Sequence, residues 1–291
     1  MASGDTAPVL SQSVPAARPA APSFLTASLR IFDLSIGRML WSRGTVFMAL
    51  VVGLPVALAL LVRGVQALGL GNVQIAGQAM NGPTIFGFMI WILYLRFIVP
   101  VLAVYYGTAL IADEVDDKTI TYLFTRPIAR GAVMAGKFLA FLVCTVMVVL
   151  PSVVIVYFLI APQGSSIAAT FPDLVKDLGM LTLGLLAYGA LFAWVGAQFR
   201  RPLAVGLVFV FGWEQIALMI PGYLRQFTVA HYLQALVPHA MPADGIIGLL
   251  QSYLAEHPSI FSAIFWLLVT SGGFLYLAIR AVERREYVLE Q

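Results

Sequence analysis

Two ionisable side chains, Arg96 and Glu214, sit inside long apolar runs of this sequence. An arginine at the centre of a bilayer costs ~3 kcal/mol or more unless it meets protein or water, so each of the two needs a partner or a polar pathway. Counted from the same ends of their runs, both fall at a similar depth. The chemistry open to them is an ion pair, or a shared polar route, within one chain or across two copies. A purely structural pair competes with a contact to a passing molecule.

The remaining reactive residues form no such constellation. His231, His239 and His257 all fall within 223–258. A metal site wants tighter spacing and a Cys or carboxylate nearby, so ordinary interfacial histidines are the preferred reading. Gly131, Gly136 and Lys137 fit the start of the phosphate-binding pattern GxxxxGK, but Phe138 stands where Ser or Thr would hold magnesium. No strand precedes it, so nucleotide binding is rejected and Lys137 reads as a snorkelling interfacial anchor. The one cysteine, Cys144, excludes an intramolecular disulfide. No Ser/His, paired-carboxylate or metal-ligand set converges within the apolar runs, so no catalytic site is expected.

The elements that position these residues are membrane spans. The chain is 60% hydrophobic and only 11% charged, against roughly 25% charged in an ordinary soluble domain. Several charge-free runs exceed the ~20 residues that cross a ~30 Å hydrocarbon core. They predict spans near 44–63, 85–112, 132–160, 174–199, 202–222 and 259–280. Of the Lys and Arg residues, thirteen fall on one side and only Arg63, Lys176 and Arg225 on the other, with Arg96 inside a span. This bias puts both termini in the cytoplasm. Pro55, Pro100 and Pro151 lie within spans one to three, where a tolerated proline is preferred to a gating hinge. Gly189, Ala193 and Ala197, four apart in span four, favour close helix packing, by default within the chain. No segment has the basic density of a nucleic-acid surface.

Four further segments are not spans. Residues 1–22, rich in Ala, Pro and Ser, read as a disordered cytoplasmic tail. In 23–43 an apolar stripe of Leu25, Leu29, Phe32, Ile36 and Met39 recurs at helical spacing behind a capping Ser23, which predicts an interfacial amphipathic helix. In 223–258, Thr228 and Asp244 can cap two short helices at the outer face. The stretch 112–137 concentrates charge: Asp113, Glu114, Asp116 and Asp117 precede Lys118, and Arg126 and Arg130 follow a short helix. As a solvated loop it would expose Ile120, Tyr122, Leu123 and Phe124 for nothing, which favours a docking element.

The segment YYGTALIADEVDDKTITYLFTRPIARGAVMAGKFLA resembles the signature region of ABC type-2 permeases, especially the branch of the nitrous-oxide-reductase maturation permease. The matching positions are Glu114, Thr119 to Phe124, Pro127, Arg130, Gly136 and Lys137; Lys118 departs from the Gly common in the family. The resemblance implies an all-α membrane protein of six transmembrane helices, with an N-terminal interfacial helix, a cytoplasmic coupling helix and short outer-face helices between spans five and six, the permease domain covering 44–291. It implies ATPase coupling through Glu114, Asp116, Asp117, Lys118, Thr119, Tyr122, Leu123, Phe124, Arg126 and Arg130. Implied partners are cytoplasmic ABC ATPase subunits and a second permease copy, identical or homologous, besides membrane lipids. No cofactor is implied in this chain, since ATP and Mg belong to the ATPase. The expected function is an ATP-driven permease, an exporter in a bacterial or archaeal cytoplasmic membrane. Alternatives are a mechanotransmitter or scaffold driven by an ATPase, or a stand-alone secondary transporter. The latter should show repeated halves around a midplane site, which the sequence lacks.

Overall fold

The computed structural model describes residues 23–41, 43–69, 74–75, 78–79, 81–111, 130–162, 166–220, 223–239 and 258–284. Helix α1 (Phe24–Leu40) starts at Ser23, whose hydroxyl accepts from the Thr26 amide. Five helices are long and apolar enough to cross a membrane: α2 (Gly44–Ala67), α3 (Gly82–Ile111), α4 (Arg130–Ile160), α5 (Ile167–Gln198) and α8 (Ile260–Arg284). The segment expected as the fifth span forms a shorter apolar helix, α6 (Pro202–Leu218). At ~1.5 Å per residue its length is about 26 Å, a little less than a ~30 Å hydrocarbon core. A 3-10 turn (Tyr223–Phe227) and α7 (Val229–Gln234) follow, the latter capped by Thr228 as its sequence predicts. The expected second outer helix after Asp244 lies outside the described residues. Between α2 and α3 the chain pairs two residues each of β1 (Gln74–Ile75) and β2 (Gln78–Ala79), antiparallel, with Gln74 opposite Ala79.

Helix α5 is the centre of the bundle. About 67% of its most apolar window is buried, against 17% for α8, so α8 presents Phe261, Phe265, Trp266 and Tyr276 outward. The small residues of α5 serve packing inside the chain. A Cβ on Gly189 would strike Phe141 of α4, and one on Gly196 would strike the backbone of Thr108 in α3. Ala193 and Ala197 are buried beside them. Only the absence of side chains lets α3 and α5 touch backbone to backbone.

The prolines act differently in each span. Helices α2 and α4 run unbroken through Pro55 and Pro151. In α3 the turns widen instead to π-helix over Ile90–Ile98 and Ala103–Gly107 on either side of Pro100. The Val99 amide bonds five residues back, to the Tyr94 carbonyl; the next donor in that register is Pro100, which has none. Buried hydroxyls join the outer spans to this helix. Tyr94 lies 2.6 Å from Ser152 of α4, and Ser152 donates to the Val52 carbonyl of α2.

Helix α1 docks on the start of α4 by a face the stripe rule does not pick out. Leu25 and Leu29 are exposed, whereas Ala27 and Ile31 are buried. The reason is Gly136: a Cβ there would come within 2.5 Å of the Ser28 carbonyl oxygen and 2.9 Å of Ile31 Cβ. The helices cross where neither has bulk, leaving the larger stripe for the membrane interface. Gly136→Val is therefore expected to lift α1 while the spans stay packed, an overpacking cost of about 1–3 kcal/mol. Amide exchange should rise about tenfold or more over 24–40 and not in α5; unchanged protection of α1 would refute this docking geometry.

Candidate functional site

Three helices bring polar groups into the middle of the bundle. Arg96 lies in the first π segment of α3, and Glu214 follows directly on a third such segment, Phe209–Trp213 of α6. Tyr188 comes from α5. Widened turns of this kind often accompany functional sites because they shift a side chain out of the ordinary helical register.

Glu214 is 2% exposed and fully engaged. The Tyr188 hydroxyl lies 2.8 Å from Oε1 and 2.7 Å from Oε2, donating its single proton between them. The Ala230 amide, near the start of α7, donates to Oε1 at 3.3 Å. Helix α7 thus closes over the carboxylate. Its Val229, Ala230 and Leu233 are buried, and Leu233 meets α5 where Gly184 leaves room. A buried carboxylate holds the short helix α7 onto the bundle.

Arg96 completes the cluster without closing an ion pair. Its guanidinium interacts electrostatically with both Glu214 and Tyr188. Among the described residues its cationic group stands over the Trp91 ring, 5.4 Å from the centroid. Its Nε is buried and has no hydrogen-bond partner there. The expected direct Arg96–Glu214 pair is therefore replaced by a Tyr188-held carboxylate with the arginine alongside.

A second buried pair lies toward the N-terminal end of α5. Asp177 is wholly buried, and its Oδ2 stands 2.8 Å from His239 Nε2, in the segment that follows α7. The His239 ring packs edge-on against Phe86 and over Gly87 of α3. Oδ1 of Asp177 has no partner among the described residues. Nearby, Tyr157 of α4 donates to the Ile167 carbonyl and lies 2.8 Å from Thr170 Oγ1, fastening the end of α4 to the start of α5. His239 is thus more than an interfacial histidine. One signal existed: Asp177 falls on the stripe of the buried Leu174 and Leu181, while Lys176 pairs with Asp173 at 2.9 Å. His231 stands half-buried with its ring against Tyr232, and His257 lies outside the described residues. Among the described residues no three His, Cys, Asp or Glu side chains group to hold a metal ion.

Of the residues assigned to ATPase coupling, Glu114, Asp116, Asp117, Lys118, Thr119, Tyr122, Leu123, Phe124 and Arg126 lie outside the described residues. Arg130 is the exposed first residue of α4. The ends that carry the stretch are well defined. Lys137 Nζ donates to the Leu110 carbonyl at 3.0 Å, joining the last turn of α3 to the first turns of α4. Rather than only snorkelling to headgroups, this lysine ties α4 to a backbone carbonyl of α3. Gly131 packs against Ile279 and the Glu283 carboxylate of α8.

Over residues 38–287 the chain matches the family model described as ABC-2 family transporter protein. No curated protein matches it.

Proposed function

Because the chain belongs to the ABC-2 family of transporter proteins, and is thus a multi-pass membrane permease that works with ABC ATPase subunits, we propose that it is an exporter driven through the stretch 112–129. The family match across this stretch carries the reading, and its concentration of acidic, basic and apolar residues supports it. Asp116 to Phe124 form the coupling helix, received by a groove of the ATPase; Glu114, Arg126 and Arg130 flank it. ATP and Mg bind in that partner, and this chain performs no hydrolysis. Helix α6 crosses the membrane as a sixth span, which returns both termini to the cytoplasmic face that the Lys and Arg bias selects. Residues 1–22 are a cytoplasmic tail, 23–43 an interfacial helix and 44–291 the permease domain. Two copies, identical or homologous, enclose the pathway in a bacterial or archaeal cytoplasmic membrane. Within the family, the signature stretch most resembles the nitrous-oxide-reductase maturation branch.

In mechanical terms, closure of the ATPases displaces the coupling helix, and the Lys137 bridge makes α3 and α4 move together. Helix α3 carries Arg96, and α5, packed on it without intervening side chains, carries Tyr188. A push at the cytoplasmic end is thereby delivered to the Glu214 cluster that holds α7.

The paired substitution Tyr122→Asp with Phe124→Asp is expected to abolish ATP-driven transport while the permease stays folded. Copurification of the ATPase should fall about tenfold or more, as apolar anchors at an interface centre commonly contribute 2 kcal/mol or more. Wild-type ATPase assembly together with wild-type transport in this variant would sink the coupling assignment. Normal ATPase assembly with no cargo movement under any condition would instead favour a force-transmitting scaffold.

A further inference from the structure

We propose that Arg96 is the recognition residue for an acidic amphiphile, a molecule with an apolar body and one phosphate or carboxylate group, carried by this permease. The inference rests on the reading of the chain as a transport permease and names its substrate class.

Arg96 lies fourteen residues from Gly82 and fifteen from Ile111, the ends of α3. With this ~45 Å helix overhanging a ~30 Å hydrocarbon core, a mid-helix Arg96 lies about 15 Å from either headgroup layer, beyond the reach of its side chain. A guanidinium carries five N–H donors in a planar fork. Trp91 lies against it, brought there by the π turn, in which residues five apart come together. The edge of the fork stays available, and the buried Nε has no acceptor among the described residues. The nearest internal candidate is spoken for, since the Glu214 carboxylate is occupied by Tyr188 and the Ala230 amide.

The surroundings narrow the ligand. Ile92 and Phe97, beside Arg96 on α3, are each 38% exposed, so the face around the guanidinium is apolar and uncovered by the chain's own helices. Lipid tails suit Ile92 and Phe97 but leave the arginine donors unmet, at a cost of ~3 kcal/mol or more. A phosphate or carboxylate on an apolar body satisfies both at once, because its paired oxygens match the two Nη donors at the accessible end of the fork.

The test is a titration of the purified permease–ATPase complex in neutral maltoside detergent, read by native mass spectrometry. The probes are dodecyl phosphate and, as its cationic counterpart, dodecyltrimethylammonium. Wild-type protein is expected to prefer the phosphate at least tenfold. Arg96→Gln should weaken phosphate binding about ten- to hundredfold, the worth of a charge-assisted hydrogen bond. Arg96→Lys, which keeps the charge and loses the fork, should fall between the two. Equal binding of both probes by wild type overturns the proposal even where Arg96→Gln cannot be recovered folded. So does wild-type phosphate affinity in Arg96→Gln, including the case in which that variant separates two permease copies, which would assign Arg96 to their contact. Failure to recover any ATPase with the permease overturns the permease reading instead; recovery without phosphate preference overturns only the role of Arg96.

Discussion

Replacing Tyr188 by Phe is expected to destabilise the protein by about 3 kcal/mol, because it strips a buried carboxylate of its principal donor. The removed group is one hydroxyl, but both oxygens of Glu214 depend on it. What remains are backbone amides at the start of α7, Ala230 at 3.3 Å and Val229 beside it. Hydrogen bonds to charged groups contribute about 1.5–3 kcal/mol, and a buried charge left short of partners adds its desolvation penalty. Glu214→Gln removes the charge and keeps an acceptor, so it should cost less. The decisive measurement is the cycle: in the Glu214→Gln background, Tyr188→Phe should cost at least 1 kcal/mol less than in wild type. Additivity within about 0.5 kcal/mol, by unfolding in detergent, would mean that the two residues act independently. Because Ala230 belongs to the same network, helix α7 should loosen as well. With Cys144 buried, a cysteine at position 230 would give the only reactive thiol among the described residues, shielded in wild type and labelled by an impermeant maleimide in the Tyr188→Phe background.

His239→Ala should have an effect of similar size at the N-terminal end of α5, again about 3 kcal/mol. Asp177 is fully buried, and one of its oxygens already lacks a partner among the described residues. Without His239 the other oxygen loses its contact too, and breaking a buried pair is far costlier than never having formed it. Two companion variants separate this account from simple loss of packing. Adding Asp177→Asn to His239→Ala should recover part of the loss, since the stranded charge is gone. Gly87→Val should reproduce the damage with both partners intact, because a Cβ at 87 would lie 2.7 Å from His239 Cγ. If Asp177→Asn makes His239→Ala worse, the pair is not what holds this segment.

The bundle's helices were legible because the membrane writes its thickness into the sequence as charge-free runs, and Arg96 and Glu214 stood out by interrupting two of them. Their partners did not stand out. Tyr188 looks like any aromatic in an apolar helix, and the Ala230 amide has no sequence signature at all. Asp177 and His239 are 62 residues apart, with only the face of α5 to connect them. The docking face of α1 was not legible for a different reason. Hydropathy separates water from everything else, but cannot tell lipid from protein when both are apolar, so Leu25 and Leu29 advertise a face that stays uncovered while Ala27 and Ile31 make the contact. Gly136, which resembled part of a phosphate loop, turned out to be the clearance for that contact. Length estimates erred where helices overrun the apolar stretch, as α5 does by starting at Ile167.

The crossing of α1 over Gly136 has a consequence for how the protein is made. Ser28 meets a residue more than one hundred positions later in the chain, so α1 leaves the ribosome long before its seat exists. At about 5–20 residues per second the interval is roughly five to twenty seconds. During that time two spans are delivered to the bilayer with α1 still unseated and its apolar stripe uncovered. The interface-seeking face, Leu25 and Leu29, can be satisfied at once by lipid, whereas the Ala27 and Ile31 face must wait for α4. The N-terminal helix is thus among the first elements synthesised and, of those joined to α4, the one whose docking is longest deferred.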